Sequence, residues 1–285
     1  MTEFESLGIV GSGIMGSGIA ETAIDSGHEV VILARTPQSA QSVLRSVQAS
    51  LSKRVEKGHK ASSQAEEDLS RLSVTTEIAD LSNCDLVIET VVEDISVKSR
   101  IINDLDVVCK PSTVLASNTS TIPLIELAAK TKRPEKVCGI HFFNPAPVMK
   151  LVEIVRTLLV SDETIQRARR FALECGKEPV EVSDRAGFIV NALLFPYLNN
   201  AIKMLEMNVA SKEGIDTAMR GGCGFPMGPF ALLDLVGLDT ALAILNSLHE
   251  EFGDPNYSPA PLLKRMVAAK MLGRKSRAGF YSYEN

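Results

Sequence analysis

The sequence predicts an α/β protein with two domains, a doubly wound and mostly parallel β-sheet domain followed by a smaller all-α domain. In the first half of the chain, short apolar runs alternate with longer amphipathic segments, which is typical of parallel strands joined by crossover helices. After Asp184 the strand signals nearly vanish and helical patterns follow one another. We therefore place the sheet domain at residues 1–185 and the helical domain at residues 186–285 of this 285-residue chain.

The elements of the sheet domain follow from apolar runs and from residues suited to begin or end helices. A long helix is predicted from Pro37 to about Lys57, because apolar residues recur every four positions along it and Gly58 is suited to end it. Ser161 is a candidate N-cap of a later helix, which Gly176 stops. The predicted strands are Leu7–Val10, Glu29–Leu33, Leu86–Glu89, Thr113–Ala116, Val137–Phe142, Leu151–Val155 and Pro179–Val182.

The second domain is predicted to contain five helices. The first and longest runs from Phe188 to Met207. Ser211 is suited to cap the next helix, and Pro229 is suited to the first turn of a third. A fourth helix is predicted over Asp239–Phe252, and a proline-rich loop separates it from the last one.

Charge and hydropathy exclude several classes of partner. Thirty Lys and Arg residues against 35 Asp and Glu give a net charge of −5, so no overall positive field would attract nucleic acid or anionic lipid. No apolar run reaches the roughly 18 uncharged residues of a membrane span, because Asp234 and Asp239 interrupt the candidate segment Phe230–Leu248. The acidic N-terminus lacks the pattern of a signal peptide. We expect a protein that binds small molecules.

The cysteines bear on compartment and on metal binding. Their number is odd, they are widely scattered, and no Cys-x-x-Cys pair occurs. Neither a disulfide framework nor a metal site is therefore predicted, and a reducing cytoplasm is the expected compartment. The five are Cys84, Cys109, Cys138, Cys175 and Cys223.

A glycine-rich segment directly follows the first predicted strand and opens a helix, as in a Rossmann-type dinucleotide-binding domain. Gly11 would permit the tight turn, Gly13 would let the backbone approach a pyrophosphate, and Gly16 would allow close helix packing. The helix N-terminus, at Ile14 and Met15, adds free N–H groups suited to phosphate. This segment is predicted to bind a nicotinamide dinucleotide.

The end of the second predicted strand bears on which cofactor is bound. NAD-binding units usually carry Asp or Glu there to accept a hydrogen bond from the ribose 2′-hydroxyl, whereas this chain has Ala34, Arg35 and Thr36. Arg35 could clamp a 2′-phosphate, and Thr36 would cap the next helix and direct further N–H donors at that anion. We expect the protein to accept NADP(H), and these residues also favour a preference for NADP(H) over NAD(H). The alternative is that Arg35 is a solvated residue beside the adenine.

His141 and Glu153 are the strongest candidates for proton chemistry. Each is six residues from Pro147, so a chain reversal there would place the two side chains opposite each other. Glu153 also interrupts an apolar run, and a carboxylate on a buried strand requires a partner. An imidazole oriented by a carboxylate is suited to act as a general base at neutral pH, whereas a lone histidine would be an ordinary core residue.

Four motifs, spread over essentially the whole chain and in the same order, resemble the L-3-hydroxyacyl-CoA dehydrogenases, and most closely the short 3-hydroxybutyryl-CoA dehydrogenases. They are Ser117–Ser120, His141–Pro145, Gly187–Asn191 and Pro226–Pro229. The resemblance implies a two-domain enzyme of fatty acid metabolism that oxidises the 3-hydroxyl of an acyl-CoA, or reduces the ketone, with a nicotinamide cofactor. Ala34 departs from the pattern, because the NAD-linked members carry an acidic residue there.

The resemblance also implies roles for individual residues. His141 matches the catalytic base, and Glu153 matches the carboxylate that orients it. Ser120 and Asn191 match residues around the substrate oxygen, which also contact the substrate, and Ser120 contacts the cofactor as well. Asn144 matches a position near the nicotinamide. A site between the two domains would bring these residues together.

Further charged positions match cofactor and coenzyme A contacts. Glu93, Lys98 and Lys275 match contacts with the nicotinamide cofactor, although each would otherwise pass as a solvated charge. Ser50 and Lys57 match contacts with CoA and lie two turns apart on one helix face. Three neighbouring basic residues, Lys53, Arg54 and Lys60, add positive charge that would attract its phosphates.

Two other functions share this layout. One is dehydrogenation of a free sugar acid, as in relatives of L-gulonate dehydrogenase, against which Ser50 and Lys57 argue. The other is a catalytically silent nucleotide-binding protein resembling lambda-crystallin, against which His141 and Glu153 argue. The usual assembly of the family implies a homodimer through the helical domain, to which the apolar segment Phe230–Leu248 could contribute.

Overall fold

The computed structural model describes residues 3–283. The chain forms two compact units that divide between Arg185 and Ala186. The first unit contains an eight-stranded, mostly parallel sheet and the second is helical, so the predicted fold class is confirmed. The strands are β1 Ser6–Val10, β2 Glu29–Leu33, β3 Leu72–Thr75, β4 Leu86–Glu89, β5 Val114–Ser117, β6 Val137–Phe142, β7 Leu151–Arg156 and β8 Glu178–Ser183.

The order of the strands locates the edge of the sheet where a ligand binds. The strands lie in the order β3-β2-β1-β4-β5-β6-β7-β8. The first six pair in parallel, β7 runs antiparallel to β6, and β8 is parallel to β7. In such a doubly wound sheet the order reverses between β1 and β4, and ligands bind beyond the carboxyl ends of the strands at that point. The glycine-rich segment follows β1 at this edge.

The helices of the first unit cover the sheet. The long helix Pro37–Glu56 buries Val43, Val47 and Leu51 of its predicted apolar face, while Val55 is only half-buried. Gly58 has a φ of 71°, the left-handed conformation that ends this helical segment. The helices of this unit are α1 Ile14–Asp25, α2 Pro37–Glu56, α3 Ser62–Ser70, α4 Ile95–Val108, α5 Leu124–Ala128 and α6 Asp162–Glu174.

The structure contains elements of the first unit that the sequence pattern did not indicate. β3 has only four residues and lies at the edge of the sheet, so it has no long apolar run. The helix α3 is mostly polar, and Asp68 is its one fully buried residue. β5 lies one residue later than the predicted strand, which places Ser117 at its end.

The second unit is held together by buried aspartates as well as by apolar packing. Asp234, which is 1% exposed, accepts hydrogen bonds from the N–H groups of Phe280 (2.9 Å) and Tyr281 (2.8 Å). Asp216 accepts hydrogen bonds from the N–H groups of Phe230 and Ala231 and thereby caps the helix that begins at Pro229. The helices of this unit are α7 Val190–Glu206, α8 Lys212–Cys223, α9 Pro229–Val236, α10 Leu238–Phe252 and α11 Pro261–Ala268.

The apolar segment Phe230–Leu248 lies mainly in the core of the second unit. Phe230, Leu238 and Leu248 are fully buried in its hydrophobic cluster. The expectation that this segment contributes to a dimer surface is therefore wrong for these residues. Within residues 3–283 no single helix is long and apolar enough to span a membrane; α9 and α10 together meet that length and composition, but they are bent by 96°.

Candidate active site

The glycine-rich segment forms an open cradle at the carboxyl end of β1. Gly11 has a φ of 120°, and a Cβ at Gly16 would lie 2.0 Å from the carbonyl oxygen of Gly11. A Cβ at Gly13, in contrast, would meet no atom within 4 Å. The helix α1 begins at Ile14 without a side-chain cap, so its first N–H groups, including that of Met15, point to this space without a capping acceptor. These features fit a pyrophosphate, whose oxygens accept from such groups.

The end of β2 carries the residues that are expected to meet the ribose 2′ position of a cofactor. Ala34 is buried and offers no acceptor, while Arg35 is exposed and has no ion-pair partner within residues 3–283. Thr36 caps α2 as predicted. The N–H groups of Thr36 and Ser39 are not directed at an anion, however, because the two residues form a capping box in which each backbone N–H bonds the other side chain. The next N–H, that of Ala40, bonds the carbonyl oxygen of Thr36.

His141 and Glu153 face each other across the antiparallel pair β6 and β7, as the sequence predicts. They are direct register partners, and Nδ1 of His141 lies 2.7 Å from Oε2 of Glu153. The two side chains are only 8% and 1% exposed. Because an ionised carboxylate only accepts hydrogen bonds, Nδ1 donates in this bond, and proton exchange with a substrate falls to Nε2. The Phe143 ring lies 4.6 Å from the imidazole, centroid to centroid, and packs beside it.

Ser120 lies in a loop after β5 that Glu93 organises. Oε1 of Glu93 accepts hydrogen bonds from the backbone N–H of Ser120 (2.9 Å) and Thr121 (3.0 Å) and from the hydroxyl of Thr119 (2.6 Å). Burial raises the pKa of the Glu93 carboxyl, but the charge of Lys98 and these hydrogen bonds outweigh burial and hold its pKa below the usual value. Ser120 does not cap α5, whose first N–H groups bond to Asp184.

Lys98 is not the solvated charge that the sequence alone allowed. Its side chain is 1% exposed, and Nζ lies 2.9 and 3.0 Å from the two carboxylate oxygens of Glu89 and 3.4 Å from Oε2 of Glu93. Nζ also donates to the carbonyl oxygen of Val91 at 3.3 Å. Any contact between Lys98 and a cofactor is therefore made from within an ion-pair cluster.

The remaining candidates divide between the two units. Asn144 is exposed in the loop between β6 and β7, in the first unit. Asn191 is at the start of α7 in the second unit and is buried rather than solvated. Lys275, also in the second unit, pairs with Asp239 at 2.5 Å.

The predicted CoA-binding face of α2 is less basic than expected. Ser50 is half-buried, and Lys57, at the C-cap of α2, is exposed, as is Lys53. Arg54 and Lys60, however, both pair with carboxylates, Arg54 with Glu21 and Asp25 and Lys60 with Asp25 and Asp68. The expectation that these two residues add free positive charge is therefore wrong.

The part of the chain that the structure describes, residues 3–283, contains no group of three or more His, Cys, Asp or Glu side chains placed to hold a metal ion. The cysteines Cys84, Cys109, Cys138, Cys175 and Cys223 are all free thiols. Burial raises the pKa of the Cys109 thiol to about 11 and that of the Cys138 thiol to about 12. These two side chains are therefore neutral core residues.

Comparison with known proteins agrees with this geometry over both units. Residues 6–185 match the NAD binding domain of 3-hydroxyacyl-CoA dehydrogenase, and residues 187–283 match its C-terminal domain. The chain belongs to the 3-hydroxyacyl-CoA dehydrogenase family. Its first unit is thus the family's NAD binding domain, and the segment with Gly11, Gly13 and Gly16 lies within it.

Individual members of the 3-hydroxyacyl-CoA dehydrogenase family resemble this chain over nearly its full length. A 3-hydroxybutyryl-CoA dehydrogenase of Clostridioides difficile is 46% identical, covering 97% of this chain and 99% of the relative. The crystal structure of Mycobacterium tuberculosis FadB2 is 47% identical and superposes with a TM-score of 0.97, covering 99% of both chains. That of the (S)-3-hydroxybutyryl-CoA dehydrogenase PaaH1 from Ralstonia eutropha is 40% identical, with a TM-score of 0.96, covering 99% of this chain and 100% of that one.

Other residues support the site without having been predicted. Oδ1 of Asn118 accepts from the N–H of Phe142 at 2.8 Å and ties the loop after β5 to the end of β6. Lys177 is 6% exposed and donates to the carbonyl oxygens of Ala146 (2.6 Å) and Met149 (3.0 Å), which fixes the loop after His141. Burial lowers the pKa of Lys177. No local pattern marks Lys177, whereas Asn118 lies within a motif that was recognised.

Two glycine variants separate the fold of the cradle from its binding of phosphate. Gly16→Ala should destabilise the protein by about 1–3 kcal/mol, because its Cβ cannot fit against the backbone of Gly11. Gly13→Ala should leave the free energy of unfolding within about 0.5 kcal/mol, since its Cβ enters only open space. It should weaken cofactor binding at least about tenfold, because that space is where the pyrophosphate is expected. Urea unfolding and calorimetric titration measure the two effects. Unchanged cofactor affinity in Gly13→Ala would contradict the placement of the pyrophosphate.

Proposed function

We propose that this protein is a 3-hydroxyacyl-CoA dehydrogenase that interconverts 3-hydroxybutyryl-CoA and acetoacetyl-CoA with a nicotinamide cofactor. The observation that carries the proposal is the buried hydrogen bond between His141 and Glu153 at the carboxyl-end region of the sheet that holds the glycine cradle. The relatives named 3-hydroxybutyryl-CoA dehydrogenase, at 40–46% identity, support the substrate class.

The proposed role of His141 is to move the proton of the 3-hydroxyl. In the oxidative direction, Nε2 accepts this proton while the hydrogen on C3 leaves as hydride, and in the reductive direction the ring returns it. Glu153, which binds Nδ1, fixes the ring orientation and stabilises the imidazolium that forms. The nicotinamide ring, when bound, takes up or supplies the hydride.

Two further residues have proposed roles at the substrate oxygen. Ser120 and Asn191 carry neutral donors, which are suited to hold an oxygen whose negative charge increases as the proton leaves. The carboxylate of Glu93 supports this role for Ser120, because it fixes the backbone on which the Ser120 hydroxyl is mounted. Asn144, which lies in the loop fixed by Lys177, is proposed to contact the nicotinamide.

Substitution of His141 and Glu153 tests the proton transfer. His141→Ala should lower kcat for acetoacetyl-CoA reduction by about 10²–10⁴-fold, the usual contribution of a general acid or base. Glu153→Gln should lower kcat by a smaller factor, because the ring remains but loses its carboxylate partner. The loss of absorbance of the reduced nicotinamide measures both rates. Turnover that persists unchanged in His141→Ala would reject the assigned base, and absence of turnover in the parent would reject the proposed substrate.

We propose that the cofactor is NADP(H), which would make acetoacetyl-CoA reduction the physiological direction. An exposed Arg35 and a buried Ala34 support this choice, because the strand end offers a cation and no acceptor for a ribose 2′-hydroxyl. The capping box at Thr36 and Ser39 leaves Arg35 as the principal candidate partner of a 2′-phosphate.

The ratio of specificity constants for NADPH and NADH tests the cofactor proposal. Arg35→Ala should lower kcat/KM for NADPH by about tenfold and leave kcat/KM for NADH nearly unchanged, because the lost charge-assisted bond concerns the 2′-phosphate alone. A parent enzyme with a clear preference for NADH would overturn the proposal.

Substitution of two lysines that follow the last residue of α2, Lys57 and Lys60, tests the proposed CoA-binding face. Lys57→Met should weaken binding of CoA by about three- to tenfold, with a smaller salt dependence, and leave stability unchanged because Lys57 is exposed. Lys60→Met should leave the affinity for CoA unchanged but lower the free energy of unfolding by about 3 kcal/mol. The reason is that it leaves Asp68, which is 1% exposed, with one partner fewer. Equal CoA affinity in the parent and in Lys57→Met would remove Lys57 from the site.

We further propose that the protein forms a homodimer through its second unit, within a reducing compartment that suits its free thiols. Leu193, Met207 and Val209 of this unit are 72%, 66% and 59% exposed and supply apolar surface for it. Light scattering should give a particle mass of twice the chain mass of 30.8 kDa. Leu193→Lys should lower the measured mass toward that of a single chain. A parent protein that remains monomeric at micromolar concentration would exclude this assembly.

A further inference from the structure

Glu89 is a buried carboxylate that has no part in the proposed proton transfer. It ends β4, is 0% exposed, and uses both of its oxygens as acceptors. Oε1 accepts from the N–H of Val91 (2.5 Å) and from Lys98 (2.9 Å), and Oε2 accepts from Lys98 (3.0 Å) and from the hydroxyl of Ser117 (2.6 Å). Full burial of an ionised carboxylate is costly, and such groups occur where a charge has a function or a strong partner.

The charges of the cluster formed by Glu89, Lys98 and Glu93 do not cancel. The ammonium group of Lys98 lies between the two carboxylates, 2.9 Å from Glu89 and 3.4 Å from Glu93. The positive charge of Lys98 and the loop N–H groups keep the pKa of Glu93 below the usual value, so Glu93 is ionised at neutral pH. Two carboxylates and one ammonium leave a net charge of −1. For structural cohesion alone, a neutral pair would suffice.

The cluster lies between the two parts of the proposed site. Glu89 pairs in register with Val10, which precedes the glycine cradle, and with Ser117 of β5. Ser117 in turn pairs with Gly139 of β6, the strand that carries His141. A dinucleotide whose pyrophosphate is at β1 and whose reacting carbon is at His141 must therefore place its nicotinamide half across the ends of β4 and β5, where the cluster is.

We propose that Glu89, through its cluster with Lys98 and Glu93, raises the affinity of the site for the oxidised cofactor relative to the reduced one. The inference rests on the proposed function. The nicotinamide ring carries a positive charge when oxidised and none when reduced, while the rest of the dinucleotide is identical. A fixed negative charge in a dry part of the site therefore stabilises the oxidised form selectively. Glu89 acts as a positioning and electrostatic residue, since Lys98 and Ser117 enclose it.

Glu89→Gln tests the inference by removing one charge from a side chain of the same shape. The dissociation constants of oxidised cofactor, reduced cofactor and ADP-ribose are measured by calorimetry without any substrate. If the enzyme uses NADP(H), 2′-phospho-ADP-ribose replaces ADP-ribose as this third ligand. We expect the ratio of the oxidised to the reduced dissociation constant to rise on the order of tenfold, because the variant removes one unit of negative charge from a buried part of the site. Affinity for ADP-ribose, which lacks the nicotinamide, should stay within about twofold.

Two other variants keep the test decisive. Glu93→Gln removes a charge from the same cluster at a partly exposed side chain, and it should shift the ratio in the same direction even if Glu89→Gln does not fold. Glu163→Gln removes a charge from an exposed position of α6 and should leave the ratio unchanged. A ratio that stays constant in both cluster variants, or an equal loss of affinity for all three ligands, would overturn the inference. Because no turnover is measured, this result is independent of whether acetoacetyl-CoA is the substrate.

Discussion

A carboxylate on a buried strand requires a hydrogen-bonding partner, and the position of Glu153 makes this requirement decisive for the site. β7 returns antiparallel to β6 after a short loop, so Glu153 lies directly opposite His141. The resulting bond fixes which imidazole nitrogen serves the substrate and in which direction the ring faces. The antiparallel return in an otherwise parallel sheet is thus the feature of the fold on which the proposed chemistry depends. Asn118 and Lys177 hold the loops on either side of it.

The same physical requirement recurs at three other buried carboxylates of residues 3–283. Glu89 bonds to Lys98 and Ser117, Asp68 to Lys60 and Arg71, and Asp234 to the backbone of the C-terminal tail. The bonds of Glu89 to Ser117 and of Asp234 to the C-terminal tail join segments that are distant in sequence, whereas Asp68 joins residues near the ends of α2 and α3. In the first unit they hold the cofactor edge and the end of α2, so that the proposed binding surfaces are fixed by polar contacts as well as by the apolar core.

The success of the sequence analysis varied with the range of the interactions. The glycine cradle and the register of His141 with Glu153 depend on local spacing, and both were predicted correctly. The environments of Lys98 and Lys60 were not, because each depends on which side chains the fold brings near. β3 and α3 escaped notice for a different reason, since a four-residue edge strand and a polar helix carry little periodic apolar signal.

The sequence by itself determined the fold class, the family and the location of the cofactor cradle. These follow from apolar periodicity and from motifs whose residues are near neighbours, so no distant contact had to be known. Only the tertiary structure decided which charges are free to meet a ligand. Lys57 remains exposed while Lys60 is enclosed by carboxylates, and Glu89, which the sequence showed only as the end of an apolar strand, belongs to a charged cluster. The physical reason is that solvation and pairing of a charge depend on neighbours contributed by the whole sheet and its helices.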